Sequence, residues 1–134
     1  MTIVPRSLLT HDVTITGERQ VGTEDDGFGG TQPVTETPEL TARGRYEPNG
    51  AQLRRQFVGE DTTDGPAVAL VGHDLTEWDD APDNDSADDG IVIDTGDAVD
   101  LDGISATYEI RGIERYSMRG GVPELVIIDL VQTD

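Results

Sequence analysis

The chain has 134 residues, of which 28 are Asp or Glu and 9 are Lys or Arg, giving a formal net charge of −19. This length suits a single domain, residues 1–134, and the 34% of hydrophobic residues suffices for one compact core with much of the chain in loops. Cysteine is absent, which excludes disulfides and thiolate metal sites, and no apolar run is long enough to span a bilayer.

Acidic residues far outnumber basic ones, and every basic residue is an arginine, since lysine is absent. A net charge this far from zero destabilises a compact chain by self-repulsion in dilute buffer. At about 1 M salt the Debye length falls to about 3 Å, and surface carboxylates barely repel one another. The composition therefore predicts a protein of a halophilic cytoplasm. Intrinsic disorder is the alternative, but recurring β-patterned segments favour a folded chain.

Apolar residues alternate with polar ones along much of the chain, whereas helical periodicity is nearly absent. The alternation predicts a first strand around Val13 and Ile15 and a second over residues 40–46. Residues 18–38 between them are rich in glycine and polar side chains, which predicts a long hairpin or flexible loop with its tip at residues 27–30. Short apolar runs follow at residues 67–71 and 91–93, each bounded by glycines.

The C-terminal part carries the clearest strand patterns. Asp102 and Gly103 predict a two-residue hairpin turn that leads into a strand beginning at Ile104. Residues 124–131 are apolar on both faces, which predicts a strand covered either by the core alone or, on one face, by a neighbouring subunit. The predicted fold is all-β, a small β-barrel or sandwich with long acidic loops such as residues 76–90. One short helix fits near Arg54 or around residues 75–78.

No motif for catalysis, cofactor binding or a metal site is found. The acidic run 83–90 fails the EF-hand spacing, because its sixth position is Asp88 instead of glycine and its twelfth is Asp94 instead of glutamate. His11 and His73 are each followed by an aspartate, but their separation matches no metal or triad signature. The glycine cluster at residues 27–30 lacks the strand, helix and lysine of a phosphate loop. We therefore predict no enzyme activity and no cofactor.

Residues 95–113, with the sequence TGDAVDLDGISATYEIRGI, resemble the "gly-asp-x-val … gly … tyr-x-val" hairpin of tailed-virus head–tail connector proteins of the stopper or head-closure class. The order of the other predicted strands is also similar. The resemblance implies a small β-barrel that forms a ring, twelvefold or sixfold, in the virion neck after assembly in the host cytoplasm. Its partners are then portal and adaptor proteins above, tail proteins below, and double-stranded DNA that passes without sequence-specific binding. No membrane partner is implied.

An acidic, lysine-free connector implies a virus of a halophilic archaeon, in which a carboxylate-lined channel repels the phosphates of passing DNA. Arginines pair bidentately with carboxylates, and the last strand is apolar on both faces, so the candidates for subunit contacts are Arg54, Arg55, Arg111, Arg115, Val126, Ile128 and Leu130. The candidates for a loop that projects into the channel and retains the genome are Glu60, Asp61, Asp64, Asp83, Asp85 and Asp88. The alternatives are a tail-terminator or tail-completion protein, and a monomeric β-barrel binding module of a halophilic cell.

Overall fold

The computed structural model describes residues 8–51, 65–79, 90–119 and 121–133. Six strands of this part close into an antiparallel barrel in the order β1-β4-β5-β8-β7-β6, and the other two form a separate two-stranded sheet. The predicted all-β fold is therefore confirmed, with a barrel as its architecture. The strands are β1 (His11–Thr16), β2 (Arg19–Asp25), β3 (Thr31–Glu36), β4 (Glu39–Glu47), β5 (Ala67–Val71), β6 (Ala98–Leu101), β7 (Tyr108–Arg119) and β8 (Val122–Gln132).

The alternation of apolar and polar residues sets which face of each strand points into the barrel. In β4, Leu40 and Ala42 are buried while Thr41 and Arg43 are exposed, as the period of two requires. Gly44 continues the inward row, where a Cβ atom would lie 2.7 Å from Val68 Cγ1. A side chain at this position would collide with the core, so the barrel narrows there around glycine.

Strand β8 lies between β5 and β7 and is buried on both faces. Its inward row belongs to the main core, which also contains Val13, Ile15, Leu40 and Leu70. Its outward residues Leu125 and Ile127 form a second buried cluster together with Ala67, Ala69 and Tyr116.

This arrangement corrects the prediction for three interface candidates. Val126, Ile128 and Leu130 are 0%, 0% and 1% exposed within the single chain, because they fill the barrel interior. A neighbouring subunit has no access to them, so they stabilise the fold and are removed from the interface candidates. Of the two interpretations of residues 124–131, the structure supports the core strand.

The strand register defines two ends of the barrel. At the hairpin end, Thr16 pairs with Glu39 and Val71 pairs with Leu125, and the β2–β3 sheet leaves the barrel there. At the tyrosine end, named for Tyr46 and Tyr108, Glu47 pairs with Ala67 and Tyr108 pairs with Gln132. The two ends carry different loops and, as described below, different side-chain clusters.

The β6–β7 connection is longer than the sequence predicts. Asp102 and Gly103 do form a turn, with Gly103 at φ +82° and a hydrogen bond from Ile104 N to Leu101 O of 3.0 Å. The strands pair only at Ala98 with Glu109 and at Val99 with Tyr108, so β7 begins at Tyr108 instead of Ile104. Alternating burial continues through residues 104–107 without strand pairing, which is why the sequence pattern overextends the strand.

Two short segments lie at the hairpin end. Residues 91–93 are buried but form no strand, and Val92 N donates to Leu75 O at 2.9 Å. A 3₁₀ turn, Gly72–Leu75, precedes them and lies a little earlier than the helix predicted at residues 75–78. Gly72 packs directly on β8, since a Cβ atom there would lie 1.8 Å from Pro123 O. The other predicted helix, near Arg54, lies outside the described residues.

Candidate assembly surfaces

The β2–β3 hairpin stands clear of the barrel. Residues 18–38, predicted as a hairpin or a loop, form an antiparallel pair in which Arg19 is opposite Glu36 and Asp25 is opposite Thr31. Every described side chain of β3 is exposed except that of Val34, which is half-buried. An isolated two-stranded sheet is marginally stable in water. Within the described residues, the hairpin is an arm whose β3 side chains are largely exposed.

The tip of this arm is built to present one aromatic side chain. Asp25 Oδ1 accepts a hydrogen bond from Gly27 N at 2.9 Å, and Asp26 Oδ1 accepts from Phe28 N at 2.8 Å and Gly30 N at 3.1 Å. Gly27 and Gly29 adopt φ values of +84° and +85°, so the predicted glycine-rich tip is confirmed. Phe28 is 95% exposed. Complete burial of a phenylalanine contributes about 1.5–3 kcal/mol, which makes Phe28 a strong anchor for a partner.

The two edges of the arm differ in their hydrogen-bonding capacity. Asp26 N donates to Gly30 O at 3.2 Å, and bonded and non-bonded pairs alternate along an antiparallel ladder. The pair of Thr23 with Pro33 is therefore non-bonded, and its backbone groups point outward. Pro33 has no N–H, so the outer edge of β3 lacks a donor at its centre, whereas Thr23 keeps both groups on the outer edge of β2.

A partly buried ion pair fixes the root of the arm. Arg19 Nη1 and Nη2 donate to the two carboxylate oxygens of Asp97, each at 2.9 Å, and Nη2 also donates to Val92 O at 3.2 Å. The Asp97 side chain is only 4% exposed, and its Oδ2 accepts a further bond from Asp94 N at 2.8 Å. The Arg19 guanidinium also lies 5.4 Å from the ring centroid of Trp78.

These contacts favour the charged form of the Arg19 guanidinium. The hydrogen bond to Asp97 raises the pKa of Arg19 above its ordinary value, against the opposing effect of burial. Bidentate geometry also restricts the direction in which β2 leaves the barrel. The pair of Arg19 with Asp97 therefore helps to orient the arm at its root.

A second surface lies on the outer wall of β7 and β8 near the tyrosine end. Val131 is 44% exposed on the outward face of β8 and is paired with Glu109, which is also exposed. The register shifts between Ile110 and Gly112, so Arg111 is the extra residue of a β-bulge. Bulges re-aim side chains, and Arg111 is exposed. An apolar side chain, a carboxylate and a guanidinium thus share this part of the wall.

The predicted contact residues fall into three groups. Arg111 and Arg115 are exposed on β7, where Arg115 Nη1 donates to Ile113 O at 3.5 Å. Val126, Ile128 and Leu130 are in the core. The remaining candidates lie outside the described residues: Arg54, Arg55, Glu60, Asp61, Asp64, Asp83, Asp85 and Asp88.

The candidate residues of the two predicted channel loops fall within residues 52–64 and 80–89, and the described residues next to these two segments lie at opposite ends of the barrel. Gly50 N donates to Gly65 O at 2.6 Å beside the tyrosine end, on either side of residues 52–64. Asp79 N donates to Glu39 O at 2.8 Å at the hairpin end, immediately before residues 80–89. The described residues that flank the two segments therefore lie at opposite ends of the barrel.

The tyrosine end contains a compact aromatic cluster. The hydroxyl oxygens of Tyr46 and Tyr108 are 3.1 Å apart, and the His11 ring contacts Tyr46 edge to face at 5.9 Å between centroids. Burial is the main cause that raises the pKa of Tyr46 to about 12, with the Tyr108 hydroxyl adding to it. His73 lies in the 3₁₀ turn at the other end, so the two histidines are not brought together.

Sequence reasoning missed the two features that define the arm. The glycines at the tip are visible in the sequence, but the exposure of Phe28 follows only from the absence of anything packed on it. The pairing of Arg19 with Asp97 joins residues 78 positions apart. The only tryptophan, Trp78, beside an acidic segment was the available signal for a packed cluster there.

Comparisons with known proteins return no match. The searches of family models, curated proteins and solved structures each found no match to this chain. Within the described residues, no cluster of three or more His, Cys, Asp or Glu side chains is placed to hold a metal ion. No helix of the described part is long and apolar enough to cross a membrane.

Proposed function

We propose that this chain is a structural, ring-forming component of a tailed-virus neck, of the head–tail connector (stopper) class, and that it works in molar salt without catalysing a reaction. The observation that carries the proposal is the exposed β2–β3 arm, with Phe28 at its tip and a rigid root at Arg19 and Asp97. An exposed arm that presents an aromatic anchor is suited to a contact between chains.

The barrel itself favours an assembly role over a small-ligand module. Small six-stranded barrels are filled by their own side chains, and here the interior holds a continuous cluster that includes Val13, Leu40, Leu70 and Ile128. A ligand site in the barrel mouth needs convergent polar groups above an open cavity. At the tyrosine end, Tyr46 and Tyr108 instead bond to each other across the opening.

The resemblance of residues 95–113 to connector hairpins adds the class. This segment supplies β6, the Asp102-Gly103 turn and the start of β7, which are neighbours in the barrel wall. Genome retention would then fall to one of the two loops at opposite ends of the barrel. A loop near the tyrosine end and one near the hairpin end face different neighbours in a neck, which makes their roles separable by experiment.

The first test is the DNA that flanks the gene. Structural genes of tailed viruses are clustered in assembly order, so we expect portal and capsid genes on one side and tail genes on the other. Metabolic or regulatory neighbours would refute the neck assignment. Depletion of the protein during infection then separates the two structural alternatives. If the protein is a stopper, its depletion leaves heads that have lost their DNA and have no tails. If it is a tail terminator, its depletion leaves DNA-filled heads and tails of abnormal length.

A further inference from the structure

Two large hydrophobic side chains remain exposed in the described part of the chain, and they lie on different surfaces. Phe28 is at the tip of the arm, which leaves from the hairpin end, and Val131 is on the outer wall of β8 near the tyrosine end. The two surfaces differ in shape, because one is a projecting knob and the other is part of a strand face. A contact that joins two different surfaces of identical chains is heterologous, and it repeats around a ring when the rotation closes.

The charges beside these side chains differ as well. Next to Phe28 lie Asp25 and Asp26, whose Oδ1 atoms are used within the turn. Next to Val131 lies Arg111, and within the described residues no ion pair involves it, whereas Arg19, Arg43 and Arg45 each bind a carboxylate. Glu109 places one negative charge beside Val131. The wall is therefore mixed in sign, while the tip is uniformly acidic.

Molar salt decides which kind of contact can hold. With a Debye length of about 3 Å, charges that are not in direct contact contribute little to association. Apolar burial is not screened, and salts excluded from the protein surface strengthen it. An aromatic knob that inserts beside one directly contacting arginine satisfies both conditions.

We propose that the arm of one copy reaches the next copy and seats Phe28 against Val131, with Arg111 of the next copy facing the carboxylates of Asp25 and Asp26. The partner is a second copy of this chain, and closure of the contacts into a ring rests on the proposed neck function. The contact between two copies does not depend on that function.

The lack of cysteine makes the test direct, since any cysteine introduced is the only thiol in its chain. Two variants, Phe28→Cys and Val131→Cys, are purified in molar KCl, mixed and oxidised. A disulfide requires Cα atoms about 4.4–6.8 Å apart, so it reports contact. We expect a covalent dimer in the mixture and in neither variant alone. The double variant is expected to give a ladder of higher multimers.

A matched control replaces the exposed Asp100 on β6, and Phe28→Cys mixed with Asp100→Cys should give no dimer. A dimer from Phe28→Cys alone would show that two tips meet, and would overturn the proposal. So would equal yields from the Val131 and Asp100 mixtures, or no disulfide in either.

Because cysteine removes the knob it tests, association of cysteine-free chains is measured as well. We expect Phe28→Ala to weaken self-association of the chain by at least about tenfold in sedimentation or light scattering, and Val34→Ala on the shaft of the arm to leave it unchanged. Equal association of Phe28→Ala and the parent chain would overturn the proposal. If the Phe28–Val131 cross-link forms but the protein is absent from virus particles, the neck function is refuted and the contact stands. If the protein forms rings in virus necks but the cross-link does not form, the contact is refuted and the neck function stands.

Discussion

The barrel and the β2–β3 arm are built from the same backbone pairing but differ in what covers their faces. Strand β8 has both faces buried, the inward one by the main core and the outward one by the cluster of Leu125, Ile127 and Tyr116. Among the described side chains of the arm, those of β3 are exposed except Val34, which is half-buried. Hydrogen-bonded pairing is thus common to both, and apolar burial alone distinguishes them. The comparison teaches that the geometry of the arm is held from its root, at Arg19 and Asp97.

Hydrogen exchange gives the largest expected difference between the two regions. Amides of β8 should open only with global unfolding, whereas those of the arm should open locally at little cost. A domain with global stability of about 5 kcal/mol or more then shows protection at least about a thousandfold higher in β8 than in β2 and β3. Mass spectrometry of exchanged peptides in molar salt measures this. Equal protection in the two regions would show that another part of the chain covers the arm.

Truncation of a core side chain in the barrel and of the half-buried Val34 in the arm sharpens the comparison. Ile128→Ala should lower the free energy of unfolding by about 2–5 kcal/mol, because it empties part of a core position that is 0% exposed. Val34→Ala, on the half-buried position of β3, should change it by less than about 0.5 kcal/mol. Urea denaturation in molar KCl measures both. A small effect of Ile128→Ala would return Ile128 to the interface candidates.

The root of the arm is tested by Arg19→Lys. Lysine keeps the charge but cannot form the bidentate pair with Asp97. The substitution should therefore lower the free energy of unfolding by about 1.5–3 kcal/mol and raise the rate of amide hydrogen exchange throughout the arm. Arg43→Lys is the matched control, because Arg43 pairs with Asp12 at 2.8 Å while both side chains are about half exposed (54% and 49%). That substitution should cost about 0–1 kcal/mol. An equal loss of stability in the two variants would show that burial does not strengthen the ion pair of Arg19 with Asp97.

Tyr46, at the barrel end away from the arm, gives the smallest expected effect. Its pKa is raised to about 12, mainly by burial, from an ordinary value of 10.0, so the folded chain favours the neutral phenol. The stabilisation is complete below pH 10 and is lost as the pH rises toward 12. Tyr46→Phe should therefore flatten the fall in stability over this window. Ultraviolet titration of tyrosinate in the parent and variant measures it, and an unchanged titration curve would contradict the assignment to Tyr46.

Sequence pattern predicted the parts of the fold that burial controls. The alternation in residues 40–46 and the double-faced apolar run of β8 follow from which faces meet the core, and both strands form as predicted. Strand ends were less predictable, because residues 104–107 keep alternating burial after pairing with β6 has ended. The pattern also does not distinguish a core from a subunit contact, which is why Val126, Ile128 and Leu130 were assigned to an interface.

The candidate surfaces were harder to predict because they depend on what is absent from a neighbourhood. In the sequence, Phe28 cannot be told from a phenylalanine of the core, and only the tertiary structure shows that its side chain is 95% exposed. The Arg19–Asp97 pair depends on a closed barrel that brings the start of β2 to the segment before β6.

The proline in β3 has a consequence for solubility. Many proteins protect an exposed strand edge with lysine, whose charge repels another edge. That protection weakens when salt screens charge to within a few ångströms, and this chain has no lysine. Pro33 instead deletes a hydrogen-bond donor, and a missing donor is unaffected by ionic strength. The outer edge of β3 is therefore a poorer template for edge-to-edge pairing at any ionic strength, because no change of salt restores the donor that Pro33 lacks.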